Sequence, residues 1–231
     1  MSHSSEHPHG GRQAVHSGAP LGEGMAGMIL VHGRGASATS ILSLSQALKR
    51  EDVSYVAPQA HQNTWYPHSF LAPLAANEPW LSSALRVLAE LAGSIAAAGV
   101  PHERIFLLGF SQGACLASEF VARNPGRYGG LVALSGGLIG NGELAGAEPP
   151  FDKSFDYEGD LAGTPVFFGC SDVDPHIPLS RVESSADTFR SLGAQVTKRI
   201  YPGMGHTVID DEIAFVRSLL ADIGGNGAPR G

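Results

Sequence analysis

The chain has 231 residues, 43% hydrophobic and 16% charged, and its 30 glycines and 15 prolines are dispersed rather than periodic, which fits a globular protein and excludes fibrous and disordered classes. A net charge of -7 with scattered basic residues lacks the footprint for nucleic acid or an anionic membrane surface, and the length suits one α/β domain. Two cysteines, Cys115 and Cys170, are too few for a disulfide framework and stand in no metal-ligand spacing, so reduced packed thiols, no metal, no cofactor and a cytoplasmic setting are expected.

Residues 1–25 have neither the continuous apolar core of a signal peptide nor a helical period, and no run elsewhere is long enough for a membrane span. Their Ser, Pro, Gly and His content predicts a mobile segment, with His3, His7 and His9 outside the chemistry. From there apolar bursts of strand length recur: 28–32, 53–58, 104–110, 131–136, 164–170 and 196–202. Most are continuous, as in strands buried on both faces of a parallel sheet. Between them the other period appears. Leu81, Leu85, Leu88, Leu91 and Ile95 form one stripe, Val182, Ala186, Phe189 and Leu192 a second, and Ile213, Val216, Leu220 and Ile223 a third. Alternating strands and helices over 26–223 predict an α/β domain, a mostly parallel doubly wound sheet with helices on both faces, followed by a flexible tail over 224–231. Two stretches, 59–77 and 137–163, fit no regular element and are long enough to serve function.

The chemistry starts with GFSQG at 109–113, which lies between a predicted strand and an Ala-rich predicted helix ending at Asn124-Pro125. That is the context a G-x-S-x-G nucleophile elbow needs, because a sharp strand-to-helix turn holds the serine in strained backbone and only glycine leaves room around it. Ser111 is therefore the candidate nucleophile. The helix that follows aims unpaired backbone NH groups at an anion forming beside it, Gln112 NH first. A second donor is expected from the loop after an early strand, and HGRG at 32–35 supplies Arg34 NH. The Arg34 guanidinium is expected to pair with a nearby acid rather than bind a substrate carboxylate, and His32 to be a buried strand-end histidine. Trp65 and Tyr66 are candidates for the pocket wall.

A serine hydroxyl needs a base, and in this arrangement the acid and the histidine follow the serine in the chain. Only His176 and His206 do so. His206, in the loop YPGMGHTV between a strand and the last helix, is the candidate base; His176 lies too near the acids to be oriented by them and is read as a neighbour at the pocket mouth. Asp172 and Asp174, just past the strand at 164–170, are the candidate acids, and residue chemistry alone does not separate them because either could instead cap the next helix.

HGRGAS, the PQA and TWYP of the long loop, GFSQGA, DPHIP and GMGH, in that order, resemble the phospholipase/carboxylesterase family of α/β-hydrolases, related to dienelactone hydrolases and acyl-protein thioesterases, over residues 26–221. The resemblance implies an α/β-hydrolase fold. It also implies that Asp174, four residues before Pro178, is the acid. Two positions depart: Trp65-Tyr66-Pro67 stands where the thioesterase branch has Trp-Phe-Asp, and Ser111 where dienelactone hydrolases have cysteine, so neither narrow substrate carries over. The expected function is a serine carboxylic-ester hydrolase acting on short or medium acyl or aryl esters, with acyl thioester or lysophospholipid cleavage as the alternative. A noncatalytic binding protein of the same fold is disfavoured by the intact Ser, His and Asp set. The expected partner is a small-molecule ester, with a homodimer left open.

Overall fold

The computed structural model describes residues 7–224. Its central sheet is built from β1 (Val15–Gly18), β2 (Ala26–Val31), β3 (Val53–Ala57), β4 (Ile105–Phe110) and β5 (Gly130–Leu134), then, beyond a small hairpin, β8 (Pro165–Ser171) and β9 (Gln195–Tyr201). The hairpin pairs β6 (Gly142–Glu143) with β7 (Lys153–Ser154). Strand order is β1-β3-β2-β4-β5-β8-β9, with every pairing parallel except the edge strand β1 on β3. Each of the six expected strands is present within two residues of its expected bounds.

Helices α1 (Ala38–Leu42), α2 (Leu44–Leu48) and α6 (Asp210–Ala221) cover one face of the sheet; α3 (Trp80–Ala97), α4 (Gln112–Arg123) and α5 (Leu179–Ser191) cover the other. The strands are apolar on both sides because alternate side chains serve different layers. In β2, Ile29 and Val31 pack under α3 and α4, while Met28 and Leu30 pack under α1 and α2. Burial of each such side chain contributes about 1.5–3 kcal/mol. The chain leaves β2 towards β3 and returns to place β4 on the other side of β2, so the loops after β2 and β4 meet at a switch point, where crevices of such sheets form.

The amino-terminal expectation is corrected. From residue 7 the chain packs on the domain: Val15–Gly18 adds an antiparallel strand to β3, and His9 is 1% exposed. An unpaired β3 edge offers a row of free NH and C=O groups, and this segment takes them. His3, and the tail expected over 224–231, lie outside the described residues save Gly224. Residues 137–163 are also more structured than expected. Glu119 Oε2 accepts from the Ile139 and Gly140 amides at 3.0 Å each and from the Tyr157 hydroxyl at 2.7 Å, while buried Arg181 donates to Leu138 O at 3.2 Å and to Pro150 O. Cys115 and Cys170 are free and buried. Among the described residues no helix is long and apolar enough to cross a membrane.

Candidate active site

Ser111 sits between β4 and α4 with φ 55° and ψ -121°, a backbone conformation that costs a non-glycine residue about 1–3 kcal/mol. The glycines on either side make it attainable. A Cβ on Gly109 would lie 2.3 Å from Gly113 O, and one on Gly113 would lie 2.1 Å from Val31 O. β4, the first turn of α4 and the end of β2 are therefore in backbone contact, and the strained serine is held by its own amide donating to Leu134 O at 2.9 Å.

Three elements converge on it. His206, in the loop between β9 and α6, places Nε2 2.8 Å from Ser111 Oγ, and its Nδ1 lies 2.8 Å from Asp174 Oδ2. Asp174, in the loop after β8, also accepts on Oδ1 from the amides of His176 at 2.9 Å and Ile177 at 3.0 Å. Burial pushes its carboxyl up, but the His206 bond and those two amides outweigh burial and hold it below the usual carboxylate range. An ionised Asp174 assigns the His206 proton to Nδ1 and leaves Nε2 as acceptor for the serine hydroxyl. Asp172, which residue chemistry alone does not separate from Asp174, has another partner. Its Oδ1 accepts from Gly203 N at 2.8 Å, tying down the loop that carries His206, where Gly203 adopts φ +67°.

Arg34 and Gln112, whose NH groups are the expected backbone donors, line the same pocket as Ser111. Among the described residues neither Arg34 NH nor Gln112 NH donates to a protein acceptor. The loop after β2 comes close enough to the elbow that a Cβ on Gly33 would touch Phe110 and Ser111 at 3.3–3.4 Å. The Arg34 side chain differs from expectation: among the described residues it pairs with no acid, and instead donates to Pro67 O at 2.8 Å and His68 O at 2.6 Å. His32 is the buried strand-end histidine expected. Its Nδ1 lies 2.8 Å from Gly33 O and its Nε2 accepts from Ala60 N at 3.1 Å, so it is neutral, and burial lowers its pKa.

A cavity of about 470 Å³ opens beside Ser111. Tyr66, Phe70, Phe110 and Ile177 give it apolar walls, while Arg34, His68 and His176 stand on its polar side. Tyr66 and His176 are placed as expected, His176 with its ring 4.9 Å from that of His206. Trp65 is not: it is fully buried outside the cavity, its indole NH donating to His32 O at 2.8 Å. Sequence reasoning missed the Gln112 side chain, whose amide accepts from Trp65 N at 2.9 Å and donates to Tyr66 O at 2.8 Å. Its position at the first turn of α4 was the only available signal, and that had pointed to the backbone.

A family model described as phospholipase/carboxylesterase matches residues 19–223. Among solved structures the chain is similar to a phospholipase/carboxylesterase from Dyadobacter fermentans, at 41% identity and a TM-score of 0.83, covering 90% of this chain and 96% of that one. Similar relatives include acyl-protein thioesterase 1 of Eremothecium gossypii, 29% identical over 217 residues, 83% of this chain and 87% of that protein. A second, acyl-protein thioesterase 1 of Gibberella zeae, is 32% identical over 122 residues, 53% of this chain and 49% of that protein, so the chain spans about half its length in that match.

Proposed function

The chain belongs to the phospholipase/carboxylesterase family; from that premise we propose that it is a serine hydrolase of carboxylesterase type that cleaves short or medium acyl or aryl esters through an acyl-enzyme on Ser111. Ser111 Oγ attacks the acyl carbon while His206 Nε2 takes its proton. The tetrahedral oxyanion is held by Arg34 NH and Gln112 NH. Collapse breaks the bond to the leaving alkoxide, which receives the proton from His206, and water then repeats the sequence to free the acid. Asp174 keeps His206 in the tautomer that accepts from serine and stabilises the imidazolium.

The observation that carries this reading is the unbroken relay Ser111 Oγ to His206 Nε2 to His206 Nδ1 to Asp174 Oδ2, both bonds 2.8 Å, beside two unengaged amides. Labelling with a fluorophosphonate followed by peptide mapping tests it: an adduct on Ser111 in the folded protein is expected, and its absence defeats the reading. A second reading, thioester cleavage, is favoured by the relatives that carry the name acyl-protein thioesterase 1. Comparison of kcat/KM for p-nitrophenyl esters with that for acyl thioesters of the same chain length decides between them.

A further inference from the structure

Four consecutive carbonyl groups, those of buried Trp65 and of the pocket-lining residues Tyr66, Pro67 and His68, are each taken by a side chain from elsewhere. Trp65 O faces His9 Nε2 at 2.8 Å, Tyr66 O accepts from Gln112 Nε2 at 2.8 Å, and Pro67 O and His68 O accept from the two arms of Arg34 at 2.8 and 2.6 Å. A loop outside any ladder must find partners for its backbone, and three of these four carbonyls find theirs on the same two residues whose amides serve the proposed oxyanion site. Wall and oxyanion donors are thus one mechanical unit.

The remaining holder, His9, does not line the cavity. It lies in the segment before β1, with ring centroids 5.4 Å from Trp65 and 5.5 Å from Trp80, and its own amide donates to Ser83 Oγ at 3.0 Å. Its Nδ1 accepts from His61 N at 3.1 Å, which leaves Nε2 as the protonated nitrogen that donates to Trp65 O. The titratable and charged groups around it are His61, Arg12 and His7.

We propose that His9 is a positioning residue for hydrolysis: through the Trp65 carbonyl it fixes residues 65–68, and with them the Arg34 and Gln112 amides. This rests on the hydrolase reading above. A ring that merely fills space between two indoles would leave turnover unchanged in any variant that folds, whereas displacement of the unit misplaces both oxyanion donors, and misplacement of about 1 Å can cost on the order of a hundredfold in rate.

Three substitutions separate these roles. His9→Gln returns an N–H near the Nε2 position and can still reach Trp65 O. His9→Asn is one bond shorter, keeps an acceptor for His61 and loses Trp65. His9→Phe keeps a ring between the indoles and donates nothing, and it stands in if the asparagine variant fails to fold. With p-nitrophenyl butyrate, well below each unfolding midpoint, kcat in the Asn and Phe variants falls roughly tenfold with KM little changed, and the second-order rate of fluorophosphonate labelling at Ser111 falls in step. The Gln variant stays within about threefold of wild type. Equal kcat in Gln, Asn and Phe variants, with only the midpoint shifted, overturns the proposal. Amide hydrogen exchange across residues 61–70 is followed on the same proteins, with faster exchange expected for Asn and Phe only. If the wild type neither labels at Ser111 nor turns over ester, the hydrolase reading fails by itself, and unchanged exchange in all three variants then overturns the holding role of His9 separately.

Discussion

At the scale of single residues, the two aspartates after β8 show how position divides similar chemistry. Asp174 reaches His206 and Asp172 reaches the Gly203 amide, so in the proposed mechanism one orients the base and the other steadies the loop that carries it. Asp174→Asn is expected to lower kcat by about 10³–10⁴, by analogy with losing the orienting acid in serine proteases. Asp172→Asn keeps a side-chain oxygen for Gly203 and is expected to cost less than about tenfold. Ser111→Ala and His206→Ala are expected to lose about a millionfold. Steady-state kinetics on one ester ranks all four, and a larger loss from Asp172→Asn than from Asp174→Asn refutes the division. Ser111 and His206 were legible because a motif and a chain-order rule point to them. The choice between the aspartates was not, since it depends on which of two carboxylates two residues apart faces inward, and only the resemblance favoured Asp174. The Arg34 side chain was misread for a related reason. Its partners are carbonyl oxygens, which leave no trace in residue identity.

At the scale of elements, the strands and long helices were legible from their periods, while the shortest and most polar pieces were not. β1 has only four residues, of the sequence VHSG, and becomes a strand because β3 presents an open edge, a tertiary cause invisible to local pattern. The stretch around the β6–β7 hairpin is likewise fastened from far away in sequence, by Glu119 on α4, which accepts from the Ile139 and Gly140 amides just before it, and by Arg181 on α5, which donates to Leu138 O and to Pro150 O between its strands. The junction of β4 and α4 is the least forgiving element. Gly113→Ala drives a methyl into Val31 O and is expected to cost about 3 kcal/mol or more, since the end of β2 cannot yield without losing its pairing to β4 and the first turn of α4 cannot yield without moving Ser111. Urea unfolding measures it; a loss under about 1 kcal/mol would show that the junction relaxes.

At the scale of the whole molecule, buried titratable groups on opposite sides of the sheet pull stability in opposite directions with pH. Burial pushes the Glu212 carboxyl up to about 7, the Ile209 amide partly offsetting it. Its folded pKa lies above the ordinary 4.5, so its contribution is present at low pH and is lost as pH rises from 4.5 through 7. Burial foremost lowers His9 from 6.5 to about 4, and its contribution is present above 6.5 and lost as pH falls through 4; His32 acts in the same sense. The two effects oppose each other between about pH 4.5 and 6.5. Glu212→Gln removes one side, so the gain in unfolding free energy from about pH 5 to about pH 6.5 should exceed that of wild type by roughly 1–2 kcal/mol. Denaturant titrations at both pH values test this, and an unchanged or smaller gain contradicts the assignment.

Because the backbone of residues 65–68 is gripped from outside, the exposed side chains at Pro67, His68 and Ser69 carry no share of that grip, Ser69 Oγ only accepting from the Leu71 amide further along. They face the cavity from a platform whose anchorage is written elsewhere in the chain. Such a division lets substrate preference be re-cut at three adjacent positions while the scaffold beneath them stays the same, and a library confined to 67–69 would sample new specificities from a stock of folded, catalytically assembled proteins.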